Sequence, residues 1–340
     1  MTSIKLQEVI LGTLVGDSIG LPMEGLSARK ITKLGWTKNL KQRLFFKKGM
    51  WSDDTDHTIL LIESALGSDG DVVRFRKLFS RRLRFWLSTI PPGVGLATLH
   101  SILKQSIGFP LDKTGVFSAG NGPSMRAASL GVIFPNETEQ REAYNQAHTK
   151  LTHSDPKALY ASQLVADIAA SFVREELDIQ SLLKKSGASG DHEWKSLMDN
   201  IQNNTQDTLK KFGIKNGVSG YSYHTVPAVV YVGIKNDWNY KKTLVEIISL
   251  GGDTDSTAAI AGALCALHPK SGEIPKDWKD NLCEFPLSVN YIETRELENG
   301  FYHWRLWPLF LVRNFFQLIV VVGHVLLRWL PTPIMKTLIP

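Results

Sequence analysis

An all-α fold is what this sequence predicts, and three observations predict it. Apolar residues recur three and four positions apart over long stretches; alternating, strand-like runs with tight turn signals are scarce; and glycine and proline gather in clusters between the periodic stretches. No segment repeats at a fixed period, so a solenoid is not expected. With 340 residues, 43% of them hydrophobic, the chain can bury one large core or two ordinary ones. The pattern favours one main domain followed by a tail.

The elements follow in order. Residues 4–19 carry helical periodicity without a basic leading segment, and Glu8 and Asp17 interrupt the apolar pattern, which marks a core helix and not a signal peptide. Residues 55–66 are a second apolar helix. Between 74 and 84 the chain places Arg74, Arg76, Lys77, Arg81, Arg82 and Arg84 within about three helical turns. Such a run is either a solvated face or a site for an acidic partner or lipid headgroups. Gly and Pro clusters at 90–95, 108–115, 187–190 and 215–220 mark loops, and further helical periods cover 156–172, 240–250 and 254–267.

Composition narrows the setting. Cys265 and Cys283 are too few for a disulfide framework and lie in no zinc-ligand spacing, so a reducing cytoplasm is the expected location. The net charge of +6 is modest, and no nucleic-acid partner is expected.

Two segments share one design. Trp51-Ser52-Asp53-Asp54-Thr55-Asp56 precedes the helix ending at Leu66, and Gly251-Gly252-Asp253-Thr254-Asp255-Ser256 precedes the helix ending at Leu267. Ser, Asp and Thr are preferred helix N-caps and acids there complement the dipole, so one such segment alone reads as a cap. A cap needs a single acceptor, however, and each segment offers at least two carboxylates and a hydroxyl. Should the two helix starts converge, Asp53, Asp54, Asp253 and Asp255 would crowd four negative charges together, which calls for cations. Every candidate ligand is an oxygen, favouring a hard ion, Mg²⁺ or Mn²⁺, over zinc. A two-ion centre, with ions roughly 3.5 to 4 Å apart, would orient a substrate and lower the pKa of a bound water.

Read with three further motifs, these segments resemble the ADP-ribosylglycohydrolase family, which includes enzymes that remove ADP-ribose from dinitrogenase reductase and from arginine or serine side chains. The ordered set is Gly12-Thr-Leu-Val-Gly16-Asp17-Ser-Ile-Gly20-Leu-Pro-Met-Glu24, Ser52-Asp53-Asp54-Thr55, Gly120-Asn121-Gly122-Pro-Ser-Met125-Arg126, Thr152-His153-Ser-Asp-Pro156 and Gly251-Gly252-Asp253-Thr254-Asp255-Ser256. It spans roughly residues 1–285, which the resemblance makes a catalytic domain, leaving 286–340 as an extension.

The resemblance implies an all-helical fold and a Mg²⁺-dependent hydrolase that cuts the glycosidic bond between ADP-ribose and a protein side chain or small leaving group. Ser52, Asp53 and Asp54 match the first metal-binding segment; Asp253, Asp255 and Ser256 match the second, where many relatives carry threonine in place of Ser256. Glu24 matches an acidic residue on a mobile loop. Asp54 is the first candidate to handle the attacking water and Glu24 the second. Ser118, Gly120, Asn121, Gly122 and Met125 suit a diphosphate, because small residues before a helix let backbone amides approach an anion. Without that context they read equally as a Gly-rich turn before a core helix. His153, which unaided reads as structural, contacts ADP-ribose phosphates in the matching motif. The stretch 220–227 resembles another cleft-lining segment, or its aromatics are core. Competing readings are a catalytically inactive ADP-ribose-binding or structural member of the same fold, and a two-metal phosphatase on a nucleotide-like substrate.

The tail ends in an apolar stretch, residues 304–330. At 100° per residue Arg313, Gln317, His324 and Arg328 share one narrow stripe. Trp307 and Trp329 bracket it about 33 Å apart if helical, near a bilayer's thickness. Three readings compete: a membrane-associated helix, spanning or interfacial, at the inner face of a membrane; a docking helix for a partner or second subunit; and an ordinary core helix.

Overall fold

The computed structural model describes residues 2–203, 209, 216–294, 304–328 and 330–339. Among them are 17 α-helices and no sheet, only isolated β-bridges. They run α1 (Thr2–Gly20), α2 (Ala28–Leu34), α3 (Asp53–Leu66), α4 (Val72–Ser88), α5 (Leu96–Ser106), α6 (Gly122–Ile133), α7 (Thr138–Thr152), α8 (Pro156–Val173) and α9 (Ile179–Ser189). The chain continues with α10 (His192–Gln202), α11 (Ser222–Lys235), α12 (Tyr240–Ser249), α13 (Thr254–Leu267), α14 (Lys276–Asp280), α15 (Val289–Thr294), α16 (Trp307–Leu327) and α17 (Thr332–Leu338). The five helices expected from periodicity are α1, α3, α8, α12 and α13, with ends within two residues. The loop expected at 187–190 is instead the C-terminal turn of α9, Gly187 packing against Met198 of α10. Lys215 and Trp329 lie outside the described residues.

One crossing sets the site. α1 runs antiparallel to α13 so closely that a Cβ on Gly12, Gly16 or Gly20 would strike the carbonyls of Gly262, Ala258 and Thr254 in turn. Removing side chains here brings the end of α1, and hence the Glu24 loop, onto the first turn of α13. Around this pair the buried apolar residues of α3, α4, α6, α8, α11 and α12 form one core cluster.

The basic run lies on α4, whose Phe75, Phe79, Leu83 and Trp86 face the core while Arg74, Lys77, Arg81 and Arg84 are exposed. Arg74 pairs with Asp69 and Arg82 with Glu63.

The apolar tail is helical and inverted. Arg313, Asn314, Gln317 and His324 of α16 are buried against the domain, whereas Val312, Phe315, Ile319 and Leu326 point outward, between 56% and 66% exposed. Its polar groups find partners: Arg313 makes a two-pronged ion pair with Glu284, and Asn314 donates to the Thr89 carbonyl and hydroxyl. α16 is therefore no ordinary core helix, since its polar stripe makes the contact and its apolar stripe is left outside.

Candidate active site

Each acidic helix start is fixed by a different device. Ser52 caps α3, its Oγ accepting from the Asp54 amide. Beneath it, fully buried Asp17 of α1 accepts from the Ser52 amide through both oxygens and from the Thr55 amide and hydroxyl, the last at 2.6 Å. Burial outweighs these bonds and raises Asp17 to about 6. Asp56 turns away from the cleft and accepts from the indoles of Trp51 and Trp86, both at 2.9 Å.

The start of α13 is held by backbone. Gly251 and Gly252 take φ of 71° and 88°, and the Gly252 amide donates to the Leu26 carbonyl at 2.8 Å. The Asp253 amide donates to Val218 O at 2.7 Å, and Asn121 Nδ2 reaches Asp253 Oδ2 at 2.8 Å.

The two starts meet. Ser256 Oγ of α13 donates to Asp54 Oδ2 of α3 at 3.2 Å, and Ser52 Oγ lies 3.1 Å from the same oxygen. Asp53, Asp54 and Asp255 are all raised well above the ordinary carboxylate range, first by burial and then by neighbouring acids, Asp17 foremost for Asp53 and Asp54 and Glu24 for Asp255. Glu24 is raised too, by burial and by Asp253, with Arg328 opposing.

All thirteen residues singled out from the sequence, Glu24, Ser52, Asp53, Asp54, Ser118, Gly120, Asn121, Gly122, Met125, His153, Asp253, Asp255 and Ser256, line one cleft of about 770 Å³. That volume suits a dinucleotide-sized ligand. Asp54 Oδ1 and Asp255 Oδ1 are buried without a hydrogen-bond partner, which suits a hard cation bound through oxygen. As they stand, no three His, Cys, Asp or Glu side chains among the described residues close on one point. An ion there would draw on the Ser52 and Ser256 hydroxyls beside the aspartates.

In the same cleft His153 lies against the Gly turn: a Cβ on Gly120 or Gly122 would sit 3.1 Å from its ring. Its Nδ1 pairs with Thr152 Oγ1 at 2.8 Å, leaving Nε2 toward the cleft side of the turn. Burial and nearby Arg126 push it down to about 3, so it is a neutral imidazole at physiological pH. Much of the backbone before α6 is already engaged, the Gly120 amide with Ser118 Oγ and the Asn121 amide with Gly220 O. Arg126, fully buried below Asp53 among His57, His148 and Thr152, places a positive charge under the acidic end.

Sequence reasoning missed three contributors. Asp17 stood inside the first motif and was noted only as an interruption of an apolar helix, yet that interruption is the signal. The segment 92–98, a loop running into the first turn of α5, and the loop 216–220 complete the cleft walls, marked in the sequence only by Gly and Pro. From α16 come Gln317 and Val321. Of the stretch 220–227, Tyr223 is wholly buried while Gly220 reaches the cleft.

Known proteins resemble this chain along most of its length. Residues 4–310 match the family model described as ADP-ribosylglycohydrolase. An uncharacterized protein of Archaeoglobus fulgidus is 29% identical, covering 82% of this chain and 91% of its own length. The ADP-ribosyl-[dinitrogen reductase] glycohydrolase of Rhodospirillum rubrum is 24% identical over 80% of this chain and 88% of its own. An ADP-ribosylhydrolase ARH3 of Xenopus tropicalis is 23% identical over 79% and 88%. A solved structure titled an ADP-ribosylglycohydrolase-related protein complex shares the fold, with a TM-score of 0.66 at 21% identity, covering 87% of this chain and 97% of that one.

Proposed function

We propose, on the premise that this chain belongs to the ADP-ribosylglycohydrolase family and so hydrolyses a glycosidic bond of ADP-ribose, that its substrate is an ADP-ribosylated arginine or serine side chain, or a small ADP-ribose derivative, cut with the help of two Mg²⁺ ions. The observation that carries this reading is the meeting of the two acidic helix starts, Ser256 Oγ against Asp54 Oδ2, in a cleft that also holds His153 and Asn121, the latter bonded to Asp253.

Ser52, Asp53, Asp54, Asp253, Asp255 and Ser256 would hold the ions. Bound there, divalent cations would compensate the crowded carboxylates, lower the pKa of a water and orient the ribose hydroxyls. The chain's own groups do the rest. Asn121 fixes the Asp253 carboxylate, and neutral His153 offers a hydrogen bond to a phosphate oxygen without adding charge. Asp54, through its unpartnered Oδ1, takes the proton of the attacking water as the water oxygen bonds to ribose C1 and the bond from C1 to the side chain breaks. The leaving nitrogen or oxygen takes up a proton from solvent, and Asp54 returns to solvent the proton it accepted, so that water is added across the bond. Glu24 is the second candidate for the base.

The experiment is release of ADP-ribose from arginine-modified and serine-modified proteins, with Mg²⁺ and then EDTA, for wild type and Asp253→Ala. Metal-dependent release lost in the variant identifies both activity and linkage. Tight ADP-ribose binding without release would favour the inactive, ADP-ribose-binding reading.

The outward face of α16 supports a second element, a bilayer contact on the cytoplasmic side. The helix is 21 residues long and apolar enough to cross a membrane by composition, but its polar stripe is bonded to the domain, which suits a helix lying in the interface. Phe45 packs edge-on against Phe316, and next to it Phe46 stands 96% exposed at the tip of a turn with exposed Lys47, an aromatic and a cation where headgroups would meet them. Co-sedimentation with phosphatidylglycerol vesicles, lost in Phe46→Ser/Ile319→Asp, tests it. Absence of wild-type binding would leave α16 a docking helix for a protein.

A further inference from the structure

The polar stripe of α16, with Arg328 just after it, reaches two segments of the acidic site that are remote from each other in sequence. Trp51, the residue before Ser52, is held at both backbone groups: Glu284 Oε1 accepts its amide at 2.8 Å, while Arg313 Nη2 and Gln317 Nε2 donate to its carbonyl at 2.8 and 2.6 Å. Arg313 ties these partners together, bonding Glu284 twice and Gln317 Oε1 once. Four helical turns on, Arg328 forks onto the carbonyls of Leu21, at 3.0 Å, and Glu24. Its own backbone carbonyl accepts from Lys30 Nζ of α2 at 3.0 Å. The family match ends at residue 310, four residues into α16, so these contacts come from a part of the chain beyond it.

A surface helix bound only for packing would bury its apolar side. This one buries a guanidinium, two amides and an imidazole; two of the bonds they make end on the Trp51 carbonyl beside Ser52, and the half-buried Arg328 that follows adds bonds to the carbonyls of Leu21 and Glu24. Fixing a carbonyl fixes the peptide plane, and with it the direction of the adjoining side chain. Glu24 sits on a segment of few residues between α1 and α2, where a peptide rotation would swing its carboxylate out of the cleft.

We propose that α16 is a positioning strap: Arg313 and Gln317 at one end and Arg328 at the other set the spacing between the Ser52-Asp53-Asp54 carboxylates and Glu24. The inference rests on the reading of the cleft as the hydrolytic site. Arg313, Gln317 and Arg328 touch no reacting atom; they act through Trp51, Leu21 and Glu24. A misplacement of about 1 Å in such a group costs up to about 100-fold in rate while leaving remote substrate contacts intact.

The test uses Gln317→Ala, Arg328→Ala and Arg328→Lys in the full chain. Arg313→Ala is unsuitable, because it strands the buried Glu284 carboxylate. With whichever modified protein the wild type cleaves, each alanine variant should lose about tenfold or more in kcat with KM changed by less than about twofold. Arg328→Lys, which reaches one carbonyl, should recover part of the loss. Without any activity measurement, the rise in melting temperature on adding MgCl₂ should need more magnesium in both alanine variants than in wild type. Amide hydrogen exchange should quicken at residues 23–26 in Arg328→Ala and at 50–54 in Gln317→Ala.

Wild-type kcat, magnesium midpoint and exchange in both folded alanine variants would overturn the strap. If the wild type cleaves no ADP-ribosylated protein, the catalytic reading fails by itself; the exchange measurement then still decides whether α16 holds the two segments.

Discussion

The first turns of α3 and α13 carry the same kind of sequence and are built in opposite ways. α3 is braced by side chains: Asp17 reaches up from α1 to two amides and a hydroxyl, Ser52 caps the turn, and Asp56 collects two indoles. α13 is braced by backbone, with two left-handed glycines threading amides onto the carbonyls of Leu26 and Val218. The side-chain brace stores charge, since Asp17 lies buried beneath three further acids. The backbone brace stores shape, because nothing larger than hydrogen fits where Gly252 approaches Val218. Similar acidic helix starts should therefore break in different ways when probed.

The largest effect is expected on the chemistry. Asp54→Asn should lower turnover by about 100- to 10,000-fold with the fold intact, as the Ser52 cap and the Asp17 bonds remain. Release of ADP-ribose measured beside a thermal melt checks both halves; near-normal release would remove Asp54 from the mechanism and leave Glu24 as the base.

The next effect separates the two braces. Gly252→Ala puts a Cβ into the Val218 carbonyl at a φ of 88°, which should cost about 3 kcal/mol of stability. Ser52→Ala removes one capping acceptor and should cost about 1 kcal/mol. Denaturant melts of both variants in EDTA make the comparison; equal losses would mean that the glycine conformation is not what holds α13.

Much of this was legible in the sequence, for reasons the two starts make plain. Carboxylates and hydroxyls concentrated before an apolar period stand out, and Asn121, His153 and Glu24 came with the motif set. The all-α class followed from periodicity, because α1, α3, α8, α12 and α13 are amphipathic or wholly apolar over several turns. The glycine contacts of α1 with α13 were written as four-residue spacing but had no partner until the fold placed Ala258 and Gly262 opposite. Least legible was α16. Its hydropathy announced an apolar helix and its stripe a polar face, but which face turns inward depends on Glu284, Thr89 and the carbonyls of Trp51, Leu21 and Glu24, all remote in sequence.

A pH experiment sharpens the contrast in stored charge. Asp17 is raised to about 6 in the folded protein from 3.8, and Asp53, Asp54 and Asp255 are also raised well above the ordinary carboxylate range. A raised acid binds its proton more tightly when folded, so stability should be greatest below about pH 4 on this account and fall as pH climbs through about 6. Asp17 alone contributes up to about 3 kcal/mol to that fall. In EDTA the melting temperature should therefore decline from pH 4 to 7. In MgCl₂ the decline should shrink, because cations favour the ionised carboxylates. Asp17→Asn should flatten the EDTA curve, while Gly252→Ala should lower it without changing its slope. A slope independent of both magnesium and Asp17 would mean the acids are not compensated as a group.

The smallest effect lies where the two starts touch. Ser256 stands on the backbone-braced side and gives its hydroxyl to Asp54 Oδ2 on the side-chain-braced one, at 3.2 Å. Its side chain is half-exposed toward the cleft, so an added methyl meets space rather than a packed wall. Ser256→Thr keeps the oxygen and should hold kcat/KM within about threefold of wild type. Ser256→Ala removes a donor to a buried charged acceptor, worth about 1.5 to 3 kcal/mol, and should cost about tenfold or more. Parallel kinetics on the two variants isolate the hydroxyl from the volume. If threonine fails as badly as alanine, the junction between α3 and α13 is limited by shape after all, and the backbone brace reaches one residue further into the helix than Gly252.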